Sequence, residues 1–97
     1  MATYLILFQY TQKGIESVKE SPARVEALKQ MFREAGAEIK EFYALLGRYD
    51  TAFIAEAPDD ETIAGLALAI GSKGNVRSET LRAFTMDEFR KMVAAIP

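Results

Sequence analysis

The chain has 97 residues, which is enough for one compact domain and too few for two. Its 12 basic and 14 acidic residues give a net charge of -2, so there is no general attraction to nucleic acid or anionic membranes. It contains no cysteine and no histidine, which excludes disulfides, thiolate chemistry and the commonest general base. We therefore expect one domain over 1–97, with no cofactor, metal, nucleic-acid or membrane partner.

The first element is a nearly continuous apolar run, 3–10, whose β-branched and aromatic residues predict a strand buried on both faces. The run lacks the basic start and cleavage site of a signal peptide, so a cytoplasmic protein is expected. Thr11 follows as the predicted cap of a short helical turn. Apolar residues at helical spacing then predict a helix over 22–35, with Ser21 as its N-cap and Gly36 at its end.

Two further strands, 37–46 and 51–57, are separated by a short break that begins at Gly47, which predicts an antiparallel hairpin. The acidic residues after Pro58 predict the start of a helix over 58–74, because negative side chains complement the helix dipole. We prefer this capping role to a metal site, since consecutive acids at a helix start point in different directions.

The chain ends with a predicted strand, 75–84, and a short amphipathic helix that begins at the capping box 85-TMDE-88. The whole order is βαββαβ plus a terminal helix, which predicts a ferredoxin-like α+β fold with the first and third strands central. The runs 5–8 and 52–55 are apolar on both faces, whereas helices cover only one. We therefore expect self-association, as a homodimer or larger assembly, through the open sheet face.

Alternation along the last strand predicts that Leu81 and Ala83 face the helices. The residues expected on the opposite face are Ser78, Thr80 and Arg82. An arginine on a face covered by a partner needs an anionic companion. The glutamates considered for this role, in this subunit or its partner, are Glu38, Glu41 and Glu56. A structural ion pair is preferred here, and an anion pocket is the alternative.

Several short segments together resemble the signature of the GYD-domain family. They occur in order along nearly the whole chain: 10-YT-11, 19-KESP-22, 47-GRYD-50, 58-PDDE-61 and 74-GNVRSETLRAFT-85. The resemblance implies a ferredoxin-like fold of the dimeric α/β-barrel type. It does not imply an activity, because a fold can host many functions.

Without histidine or cysteine, chemistry at a site would depend on tyrosine, carboxylate, lysine and arginine groups. Arg24 opposes the dipole of its helix, which suggests a partner such as Asp50. Each candidate also has a structural interpretation, such as a half-buried tyrosine at a strand end or an aspartate bonded to turn amides. The candidate ligand-binding residues are Tyr10, Lys19, Arg24, Tyr49, Asp50, Arg77 and Arg82.

Two functions fit these features. The first is a small homo-oligomeric binding protein with a pocket for a small anionic or aromatic molecule. The second is a cofactor-independent enzyme, monooxygenase-like or isomerase-like, by analogy with other dimeric α/β-barrel proteins. The enzyme hypothesis requires a closed pocket in which tyrosine and aspartate or arginine groups converge.

Overall fold

A computed structural model describes all of residues 1–97. Each predicted element is present, with small differences at its ends, and a short 3-10 turn over Val18–Glu20 precedes the second helix. The elements are β1 (Ala2–Tyr10), α1 (Gln12–Glu16), α2 (Ser21–Glu34), β2 (Glu38–Ala44), β3 (Thr51–Ala57), α3 (Asp60–Ser72), β4 (Val76–Ala83) and α4 (Met86–Ala94).

The four strands form one antiparallel sheet in the order β2-β3-β1-β4. The first and third strands are therefore central, as the sequence predicts, and the ferredoxin-like α+β fold is confirmed. The β2–β3 hairpin is also confirmed. Its connection contains Gly47 at a φ of 133°, a backbone conformation that side chains other than glycine rarely adopt.

The helix starts agree with the predicted caps at three of four positions. Thr11 accepts from the Gly14 amide at 3.1 Å, and Thr85 forms a capping box with Glu88. Asp59 accepts from Thr62, and these hydrogen bonds hold the pKa of Asp59 below its usual range. The exception is the serine predicted to cap α2.

Ser21 is the first residue of α2 and does not cap it. Its hydroxyl group instead pairs with the Tyr10 hydroxyl at 2.7 Å, so it joins the start of α2 to the end of β1.

The core lies between one sheet face and the helices α2 and α3. Phe53 is at its centre, with its ring 4.8 Å from that of Phe8, 6.1 Å from Phe32 and 5.7 Å from Phe42. Edge-to-face and tilted rings at these separations attract one another beyond the burial of their area. Further buried residues of the core alternate along β1 and β3, lie on α3, or directly precede β2: Tyr4, Ile6, Ala55, Ala57, Ile63, Leu66, Ile70 and Ala37.

The predicted orientation of β4 is wrong. Leu81 pairs directly with Leu5, and Ala83 pairs with Thr3, so both lie on the open face of the sheet. The residues that lie on the helix-covered face, paired with core residues of β1, are Ser78, Thr80 and Arg82. Pairing with β1 fixes the register of the edge strand β4. This pairing outweighs the preference of a leucine side chain for the core.

Arg82 therefore has different companions from the glutamates considered above. Its guanidinium group lies 5.6 Å from the centroid of the Tyr4 ring and 4.4 Å from that of Phe84, and it forms an ion pair with Glu88 at 3.8 Å. Glu38, Glu41 and Glu56 are on β2 and β3, separated from it by β1. Arg82 thus joins the edge of the sheet to α4.

Tyr4 lies beneath this arginine and is 2% exposed. Its hydroxyl donates to the Asp60 carboxylate at 2.5 Å, which connects β1 to the first turn of α3. Burial, reinforced by that carboxylate, raises the pKa of Tyr4 to about 12. The phenol is consequently held in its neutral, donating form.

Candidate functional site

A cavity of about 290 Å³ opens between α2, the end of α3 and the helix-covered face of the sheet. Three phenylalanine rings from the sheet form one side, because alternate residues of a strand project to the same face. The α2 side is built from residues at helical spacing. The principal apolar residues are Phe8, Phe42, Phe53, Val25, Leu28 and Met31.

The polar lining of this cavity contains two cations and no carboxylate. Arg24 comes from the first turn of α2, and Lys73 follows the end of α3. The hydroxyl groups of Tyr10 and Ser21 form one hydrogen bond with each other in the same region. Thr51 and Asn75 are the other polar residues of the lining, and the Oδ1 atom of Asn75 is buried without a hydrogen-bond partner.

Arg24 is anchored through only part of its guanidinium group. Its Nη2 atom donates to the Glu20 carboxylate at 3.0 Å and to the Ser17 hydroxyl. Its Nη1 atom is buried and has no partner. The partner suggested from the sequence, Asp50, does not contact Arg24, which is instead oriented by the residues just before α2.

Asp50 has a structural role at the end of the β2–β3 hairpin. Its carboxylate accepts from the Tyr10 amide at 2.8 Å, and its own amide donates to the Phe8 carbonyl at 2.8 Å. Its carbonyl accepts from the Leu45 amide at 2.9 Å. These bonds tie the hairpin to the end of β1, and they engage the carboxylate that the enzyme hypothesis would need inside the cavity.

The seven candidate residues therefore do not form one site. Tyr10 and Arg24 line the cavity. The hydroxyl of Tyr49 donates to the Glu79 carboxylate at 3.4 Å, outside the cavity. Among the others, Arg77 lies opposite Gln9 on the open face, and Lys19 is exposed in the 3-10 turn.

The sequence analysis missed the contributions of Ser21, Lys73 and Asn75 to the cavity. Ser21 and Lys73 lie near helix ends, where serine and cations are common for local reasons. Asn75 follows a glycine and has the appearance of a turn residue. No sequence signal brings these three positions together, because they converge only when α2 and α3 pack on the same sheet.

The open face of the sheet has an apolar centre. Leu5 and Leu7 of β1 and Ile54 of β3 are partly exposed, and Leu81 of β4 is 42% exposed beside them. Tyr43 extends this row onto β2. We call this set of five residues the open-face row. No element of the chain covers it.

A second apolar surface lies on α4 and continues to Ile96, just after the end of the helix. Four side chains recur at the spacing of one helix face, and each remains about half exposed or more. They are Phe89 (53%), Met92 (47%), Val93 (48%) and Ile96 (68%), and we call them the α4 stripe. None of the helices has the combination of length and apolar character needed to cross a bilayer.

Comparison with known families gives a match to the GYD domain over residues 4–93. The chain belongs to the GYD domain family. This confirms the resemblance in the sequence segments, including GRYD, whose glycine and aspartate have the structural roles described above.

The GYD domain is 34% identical over 84 residues to the "Glutamine synthetase and cystathionine beta-lyase binding protein" of Thermus thermophilus, covering 86% of this chain and 88% of the relative. It is also similar to the crystal structure of TTHA0845 from Thermus thermophilus, with a TM-score of 0.56, 28% identity, and coverage of 88% and 95% of the two chains. The crystal structure of an FFRP protein shares the fold, with a TM-score of 0.62 at 21% identity over 87% of this chain and 100% of the other.

Proposed function

We propose that this GYD domain is a small, self-associating binding protein that attaches to larger protein partners. The observation that supports this most directly is the α4 stripe, a continuous apolar helix face with no covering element. A face of this kind is suited to a groove on another protein. The name of the Thermus relative, a binding protein for two enzymes, favours the same class of partner.

The proposed self-association places a second copy on the open-face row. Contiguous exposed apolar surface is unfavourable in water. A second sheet packed on the open-face row would bury the apolar open faces of both copies. The charges on this face also favour a copy of the chain. Glu38 lies directly opposite Glu56 at one end of the face, where Lys40 forms an ion pair with Glu38 at 3.7 Å, whereas Arg77 lies at the other end. A suitably turned copy would bring its arginine to Glu56, the carboxylate of this pair that has no ion-pair partner.

Replacement of Leu81 by aspartate is expected to convert the assembly to monomers. The substitution introduces a charge into the open-face row beside Leu5, where desolvation by a second sheet would be unfavourable. Light scattering at micromolar concentration measures the change in mass. The matched control is Leu68→Asp, because Leu68 is 76% exposed on α3 and outside the open face. A monomeric wild-type protein, or equal effects of both variants, would contradict the proposed assembly.

Binding to protein partners is tested with the glutamine synthetase and cystathionine beta-lyase of the organism that encodes this chain. We expect the wild-type protein to bind at least one of them in biolayer interferometry. Val93→Asp should weaken binding by about tenfold or more, equivalent to about 1.4 kcal/mol, because it places a charge in the α4 stripe.

The control for this measurement is Lys91→Ala, on the opposite side of α4, which should leave binding unchanged. Failure of the wild-type protein to bind either enzyme would overturn the proposed function. Equal binding by Val93→Asp and the wild-type protein would exclude α4 as the contact surface.

A further inference from the structure

We propose that the cavity between α2, α3 and the sheet binds a small aromatic hydroxy acid. Its volume of about 290 Å³ is near the lower end of the roughly 300–1,000 Å³ typical of small-molecule sites. That size suits a ligand with a single ring. The inference concerns a site separate from the α4 stripe and does not depend on it.

The charges around the cavity indicate that the ligand is an acid. Arg24 and Lys73 are the only charged residues in its lining, although the chain as a whole has a net charge of -2. An acidic ligand would balance these two cations, whereas a basic ligand would meet two like charges.

The hydrogen-bonding state of Arg24 indicates where the acid would be held. Its Nη2 atom is occupied by Glu20 and Ser17, which fix the guanidinium group in place. Its Nη1 atom has no acceptor, and an unpaired buried donor is uncommon in native proteins. Because Arg24 lines the cavity, a carboxylate bound there would accept from Nη1, which is a charge-assisted hydrogen bond.

Asn75 indicates that the ligand also carries a donor. Its Oδ1 atom is buried and receives no hydrogen bond from the protein. The hydroxyl groups of Tyr10 and Ser21 share one hydrogen bond, and neither of them donates to Asn75. A hydroxyl group on the ligand would supply the missing donor to Asn75.

The apolar side of the cavity indicates an aromatic body. The rings of Phe8, Phe42 and Phe53 line it, and the Phe8 and Phe42 rings both lie against that of Phe53. A ligand ring added to this group would gain edge or offset contacts with several phenylalanines. Leu28 and Met31 would close the other side as apolar neighbours.

The test is isothermal titration calorimetry of the purified protein with para-hydroxyphenylacetate. We expect saturable binding, about tenfold weaker binding of the neutral para-hydroxyphenylacetamide, and weaker binding of phenylacetate, which lacks the hydroxyl group. Arg24→Gln should weaken binding of the acid by about tenfold and abolish its preference over the amide.

The matched control is Arg33→Gln on the same helix, because Arg33 bonds only to exposed Gln30 and is outside the cavity. Circular dichroism checks that each variant is folded. If Arg24→Gln is unfolded, Lys73→Gln provides the same comparison from the other side of the cavity. No binding of the acid, equal binding of acid and amide, or full binding by a folded cavity variant would overturn the proposal.

Discussion

Phe53→Ala is expected to reduce the free energy of unfolding by about 3–5 kcal/mol, the usual range for removal of a buried phenylalanine ring. Phe53 is 2% exposed and lies on central strand β3. Its ring contacts those of Phe8, Phe32 and Phe42, so its removal leaves three aromatic neighbours without their common partner. The cavity next to it would also enlarge, because Phe53 forms part of its wall.

Urea unfolding measures this loss, with every variant at the same protein concentration because the proposed self-association would add to the apparent stability. The matched control is Phe89→Ala, since Phe89 is 53% exposed on α4. This exposed position should lose less than about 1 kcal/mol. Similar losses at Phe53 and Phe89 would show that the aromatic cluster is not the main source of stability.

Gly14→Ala is expected to destabilise the fold by about 1–3 kcal/mol or more, through overpacking. A Cβ atom at this position would lie 1.9 Å from the carbonyl oxygen of Asn75 and 2.8 Å from its carbonyl carbon. Both are backbone atoms, so no side-chain rotation relieves the clash. The α1 helix and the turn before β4 would have to separate.

Gly65→Ala is the matched control for this substitution. Gly65 lies within α3, and an added Cβ there meets nothing within 4 Å. Alanine should therefore stabilise the helix by about 0.5–1 kcal/mol, so the two identical changes should have opposite signs. Thermal unfolding monitored by circular dichroism separates them. A stabilising effect at both glycines would mean that α1 does not pack closely on the Asn75 turn.

The effect at Gly14 should extend to the cavity. Thr11 donates from its amide to the Asn75 carbonyl at 3.1 Å and from its hydroxyl to the Gly74 carbonyl at 2.6 Å. These bonds and the close approach of Gly14 fix the position of Asn75 in the cavity lining. Calorimetry on folded Gly14→Ala should therefore show weaker binding of para-hydroxyphenylacetate than the wild-type protein.

The architecture was largely predictable because its signals are local. The capping box at 85-TMDE-88, the glycine that ends α2 and the apolar periodicity of each helix all depend on neighbouring residues. The central positions of β1 and β3 also follow from their apolar content. Together with the βαββαβ element order, these features predict the observed strand order.

The orientation of β4 and the composition of the cavity could not be predicted in the same way. Leu81 lies on the open face because it pairs with Leu5, which is far from it along the sequence. Local alternation does not specify which of two faces is covered. The packing of α2 and α3 on the sheet brings together Arg24, Lys73 and Asn75. Their spacing along the sequence therefore does not predict that they are close in space.

The irregularity in β2 limits how these molecules could polymerise. The register of β2 against β3 shifts between Ile39 and Glu41, at one edge of the sheet. A bulged edge is a poor template for another strand. β4 is therefore the only edge strand with a regular free edge. Two molecules that pair through their β4 strands leave no second regular edge for a third molecule. Fibre growth by strand addition needs two usable edges, so we expect the bulge in β2 to disfavour open-ended growth of this sheet.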